Sequence, residues 1–168
     1  MAKRLIRHEG DPVLRKKAKP VTAFDARLNE QAQDLLDTLR DSGNGIGLAA
    51  PQVGLLRRLF VIDMGEDFPA RVFVNPEILE TWGEQTCNEG CLSIPGYFGE
   101  VRRPAKLRVR AQNTAGESFE LEAEGLLAVC ICHENDHLDG ILFIDKLVGP
   151  LLGPQTEDAQ ADGGAENI

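Results

Sequence analysis

Apolar residues recur every three or four positions between Ala26 and Arg40, where Leu28, Ala32, Leu35, Leu36 and Leu39 fall on one stripe. That spacing fits about 3.6 residues per turn and predicts an amphipathic helix with a solvated opposite face. A period of two takes over later. Lys106–Gln112 alternates Leu107, Val109 and Ala111 with Arg108 and Arg110, and Ser118–Glu124 does likewise. Asn113–Gly116 supplies turn residues between them, so this stretch predicts a hairpin. Arg58–Met64 and Arg71–Val74 read as strands, with Pro76 expected to interrupt the second at an edge or turn. Glu77–Trp82 and the stretch around Cys87 read as further extended pieces. Asp11, a candidate N-cap before Pro12, predicts a short helical turn. After Gly125 an apolar helix is predicted from about Leu126 to Leu138, ended by Asp139-Gly140. Ile141–Ile144 is expected to be a short strand and Asp145–Leu147 the start of a final helix. Antiparallel strands around one apolar helix define an α+β domain, placed at residues 1–148. From Gly149 the composition shifts to Gly, Pro, Gln and acidic residues. Residues 149–168 are therefore expected to be an acidic tail, disordered from Gly153 onward.

Composition narrows the possible functions. A chain of 168 residues, 42% hydrophobic and 27% charged, has the length and make-up of one globular domain. A net charge of −9 argues against direct nucleic-acid binding, which needs a positive surface. The longest apolar run, Leu126–Cys132, is far too short to cross a bilayer, so no membrane partner is expected. Met1–Lys19 is basic and lacks the apolar stretch of a secretory signal, which predicts a cytoplasmic protein. In that compartment Cys87, Cys91, Cys130 and Cys132 read as reduced thiols, available for metal binding or core packing.

The densest chemistry lies in His133-Glu134-Asn135-Asp136-His137. Side chains four apart on a helix are about 40° from alignment, so both imidazoles reach one metal ion. Glu134 is then held beside the ion, where a carboxylate can accept a proton from metal-bound water. Two of the chain's three histidines sit in this pentad. A catalytic ion needs a third protein ligand and an open position. Cys91, Cys87, Cys130, Cys132 and a carboxylate are candidates. Cys91 is the best of them, because Gly90 frees the backbone beside it and Pro95 stiffens the exit. Cys130 shares an apolar face with Leu126 and Val129 and reads as a packed core thiol. A closed site of Cys87, Cys91, His133 and His137 is the non-catalytic alternative, which leaves Glu134 and Gln52 without purpose. Gly45–Gly54 carries small residues that let a backbone approach a ligand closely.

Taken together, Gly45–Gly54, Glu89–Pro95 and His133–Gly140 resemble the three signature motifs of peptide deformylase, in the family's order and spacing. The resemblance covers about residues 3–147. It implies an α+β fold in which three antiparallel sheets surround the helix bearing His133 and His137. It implies one divalent metal held by Cys91, His133 and His137, with Fe2+ usual and Zn2+, Ni2+ or Co2+ as substitutes. It also implies removal of the formyl group from N-terminal formylmethionine of newly made polypeptides.

In that mechanism Glu134 is general base and acid, while Gln52 and the Leu92 N–H hold the oxyanion. By the same resemblance Ile46, Glu89, Leu126, Val129, Cys130 and the His133 ring line the methionine pocket. The peptide backbone pairs with the edges at Ile46, Gly47 and Gly90. Cys132 stands where the family usually has Gln, and is expected to point away from the metal, since adjacent helical positions are about 100° apart. Phe98 stands where some members have Arg. Asp136 is expected in a structural salt bridge, with Arg103 its candidate partner. Ribosome docking through a basic C-terminal helix is not expected, because the tail is acidic.

Overall fold

The computed structural model describes residues 2–154 and 166–168. Helix α1 spans Ala26–Ser42; Asp25 caps it by accepting from the Leu28 N–H at 3.0 Å, and Gly43 ends it in the left-handed region. Its buried stripe is Leu28, Ala32, Leu35 and Leu39, as the periodicity predicts, with Leu36 half-buried. Asp25→Ala should cost about 1 kcal/mol, read as a lower urea midpoint with unchanged slope.

Strands β1 (Gly47–Ala49), β2 (Leu59–Ile62), β3 (Arg71–Trp82), β6 (Lys106–Gln112) and β7 (Ser118–Glu124) form an antiparallel sheet in the order β1-β2-β3-β6-β7. Strand β2 is apolar throughout because the sheet is covered on both faces where this strand lies. Leu59 and Val61 pack with α1, whereas Phe60 and Ile62 pack with helix α2 (Gly125–Leu138). The predicted hairpin is β6–β7, turning at Asn113–Gly116. The expected break at Pro76 is absent. Asn75, at a φ of 49°, and a register shift between Val74 and Glu77 absorb the proline as a bulge, so β3 runs on.

Strands β4 (Gln85–Cys91) and β5 (Ile94–Arg103) form a second hairpin. Its third strand is β8 (Glu166–Asn167), parallel to β4, so the described residues form two sheets rather than three, one with a parallel member. Two predictions after α2 are corrected. Ile141–Ile144 is not a strand and Asp145–Leu147 does not begin a helix. Phe143–Lys146 is instead a 3-10 turn, closed by Asp145 accepting from the Leu142 N–H at 3.0 Å, with Leu142 and Phe143 buried. The domain does not stop at residue 148 either. Leu152 exchanges two backbone hydrogen bonds with Phe98, at 2.7 and 2.8 Å, because β5 offers a free edge there. Of the expected disordered stretch, residues 155–165 lie outside the described residues. Asn167 and Ile168 are ordered against β4. No described helix is long and apolar enough to cross a membrane.

Candidate metal centre

Helix α2 is buried on almost every side from Ala128 to Glu134, with Phe60, Phe73, Leu107 and Val109 of the five-stranded sheet in its core cluster. A helix so enclosed is fixed in position, and it carries its two histidines into the interior one turn apart. Their rings lie edge to face with centroids 4.9 Å apart and Nε2 atoms 3.2 Å apart. The hairpin of β4 and β5 brings in Cys91, whose Sγ is 3.4 Å from His137 Nε2. The candidate ligand atoms of Cys91, His133 and His137 all lie within 4.8 Å of one another, and all three residues are buried. Cys87, Cys130 and Cys132 are not in this group. Cys130 and Cys132 pack in the core cluster, with Cys87 against it, and none of the four thiols is in a disulfide. A closed site using Cys87 is thereby set aside.

Proton bookkeeping identifies what these atoms hold. Glu89 accepts from His133 Nδ1 at 2.8 Å and is gripped by Arg103 through Nε at 2.7 Å and Nη2 at 2.9 Å. Burial raises the Glu89 pKa, but the Arg103 and His133 hydrogen bonds overcome it and bring the carboxyl to about 2. An ionised carboxylate only accepts, so His133 Nδ1 carries a proton, and Nε2 is the nitrogen turned toward His137. Burial pushes the Cys91 thiol up to about 12 and drives His137 well below its ordinary range. One sulfur and two imidazole nitrogens meet at 3.2 and 3.4 Å in a buried site, the spacing of side chains that can share one cation. The donor set of one sulfur and two nitrogens fits a divalent metal with one open coordination position.

Glu134 follows His133 on the helix and is fully buried, with neither carboxylate oxygen hydrogen-bonded among the described residues. Burial, and then the charge of Glu89, raise its pKa well above the usual carboxylate range. A Cβ on Gly47 would lie 2.6 Å from Glu134 Oε2 and 2.9 Å from Cys130 Sγ, so only glycine lets β1 pass this closely. Gln52 sits in the Ala50–Val53 turn. Its Oε1 accepts from the Ala49 N–H at 2.9 Å, while Nε2 donates to Ser93 Oγ at 3.0 Å and lies 3.6 Å from Cys91 Sγ. Leu92 occupies the turn between Cys91 and Ile94.

Val129 and Cys130 belong to one apolar cluster, with Ile46 and Leu126 packed against it. The carboxylate of Glu89 is engaged by His133 and Arg103. Asp136 pairs with Arg103 and Lys146, as expected of a structural salt bridge. The Arg103 contact to Glu89 and the Ser93 contact to Gln52 were missed in the sequence. The available signal for Arg103 is a charged residue two positions after inward-facing Val101, where alternation points it into the protein.

Fold and site together define a metal-dependent hydrolase of the α+β class. The chain belongs to the peptide deformylase family: residues 3–150 match the family model described as polypeptide deformylase. It is 52% identical to the peptide deformylase of Caldicellulosiruptor bescii over 163 residues, 97% of this chain and 96% of that protein. Identity to the peptide deformylase of Clostridium botulinum is 56% over 146 residues, 87% of this chain and 97% of that protein. The crystal structure of peptide deformylase from Thermotoga maritima superposes with a TM-score of 0.85 at 45% identity, covering 89% of this chain and 100% of that one.

Proposed function

We infer that this chain removes the formyl group from N-terminal formylmethionine of newly made polypeptides, yielding formate and a free amine. The observation that carries the reading is the convergence of Cys91, His133 and His137 beside a buried Glu134 that has no hydrogen-bond partner among the described residues. Those three side chains would hold a divalent ion, which would supply Lewis acidity and lower the pKa of a bound water. Glu134 takes the proton of the attacking water and delivers it to the leaving amine nitrogen. Gln52 Nε2 and the Leu92 N–H donate to the formyl oxygen as it gains charge, each worth about 3 kcal/mol. Ile46, Leu126, Val129 and Cys130 receive the methionine side chain. The edges at Ile46, Gly47 and Gly90 pair with the peptide backbone. Glu89 acts through His133 as a positioning residue.

Thiolate and imidazole donors suit Fe2+, Zn2+, Ni2+ or Co2+, and Fe2+ is the ion proposed for the cell. The enzyme is proposed to act in the cytoplasm, with nascent chains as its partners. Chelation should abolish formate release from a formyl-Met tripeptide, and one equivalent of divalent ion should restore it. Elemental analysis of protein purified without oxygen identifies the ion. Metal-loaded protein that releases no formate overturns the reading.

A further inference from the structure

The groove assigned to the peptide is filled by this chain itself. Strand β8 pairs with β4 in the register Glu89↔Glu166 and Gly90↔Asn167. On its other side the Ile46 N–H donates to the Asn167 carbonyl oxygen at 3.2 Å. The Ile168 N–H donates to the Gly90 carbonyl oxygen at 3.0 Å. A Cβ on Gly90 would meet the Phe98 ring at 2.6 Å and Asn167 Oδ1 at 2.8 Å, so the Asn167 side chain lies close against β4 at this glycine. Ile168 is fully buried in the cluster that holds Val129 and Cys130, against which Ile46 and Leu126 pack. Both backbone edges and the apolar pocket proposed for substrate are therefore engaged by residues 166–168.

Strand direction distinguishes this occupant from a substrate. Strand β4 runs toward Cys91, and the register carries Ile168 to the level of Cys91. A formylated peptide has its N-terminal end at the metal, so paired with β4 it runs antiparallel. The internal segment runs parallel and brings no formyl amide to the metal. It fills the site without being cut.

We propose that residues 166–168 are an internal competitor that holds the peptide groove and withdraws when a formylated N-terminus binds. The expected effect on turnover rests on the deformylase reading; occupancy of the groove does not. Ile168→Asp in the full chain puts a charge into the apolar pocket and should release the segment. A groove occupied about nine-tenths of the time has its apparent affinity reduced about tenfold. KM for a formyl-Met tripeptide should accordingly fall by that order in the variant, with kcat unchanged. Ile168→Ala, which adds no charge, should fall between variant and wild type. A fluorescein-labelled peptide of the sequence Gly-Gly-Ala-Glu-Asn-Ile should bind the Ile168→Asp protein and be excluded by wild type. Unchanged KM in active proteins, or equal peptide binding by both, overturns the proposal. If neither metal-loaded protein turns over, the deformylase reading falls and the labelled peptide alone decides: binding to the variant only supports the internal competitor, and any other result overturns it.

Discussion

Glu134→Gln is expected to lower formate release from a formyl-Met tripeptide by about a hundred- to ten-thousand-fold, the range for loss of a positioned general base. Gln keeps the shape and polarity of the side chain, so Gly47 and Cys130, which crowd it, stay in place. Neither oxygen of Glu134 has a partner among the described residues, so no structural hydrogen bond is lost with the charge. Metal content should be unchanged, because the candidate ligand atoms belong to Cys91, His133 and His137. KM should move little, since Glu134 binds no part of the peptide in the ground state. The measurement pairs kcat with metal quantification in the same preparations. Turnover within about threefold of wild type at equal metal content removes Glu134 from the proton-transfer role.

What could be read from the sequence follows how local the cause is. Helix α1 and the hairpin of β6 and β7 were legible because their patterns are complete within each segment. The β3 bulge was not, because Asn75 and Pro76 carry a turn signal that the flanking β2 and β6 pairings override. Strand β5 went unread since Pro95, Gly96 and Gly99 break its alternation, yet pairing with β4 holds it extended. At the site, two candidate ligands were legible from helical spacing alone, whereas Cys91 was one thiol among four, favoured only by its neighbours Gly90 and Pro95 until the motif order supported it. The contacts of Glu89 went unread because its partners, His133 and Arg103, come from other elements. No local pattern links positions so far apart. Ile168 was hidden for the opposite reason: it is an isolated apolar residue in a polar stretch, and only the groove gives it somewhere to go.

Arg103→Ala should have the largest effect on stability, roughly 3–5 kcal/mol, the cost of stranding a buried charge by removing its partner. Arg103 is 3% exposed and Glu89 is fully buried. Their two-pronged contact is supplemented by Arg103 Nη1 donating to Asp136 at 2.7 Å. Truncation leaves the Glu89 carboxylate with only His133 Nδ1 for company. The folded pKa of Glu89, about 2, lies below its ordinary 4.5. Its contribution is therefore fully present above pH 4.5 and is lost as pH falls toward 2. The wild-type advantage over Arg103→Ala in urea should accordingly be large at neutral pH and shrink in acid. The double variant Glu89→Leu, Arg103→Met exchanges both charges for apolar groups and should recover much of the loss at neutral pH. It should not recover metal affinity, because His133 has lost the acceptor that fixes its ring, and a drop of about 10–100-fold is expected. Arg103→Ala with a urea midpoint indistinguishable from wild type at neutral pH would show that the ion pair does not anchor the hairpin to the metal helix.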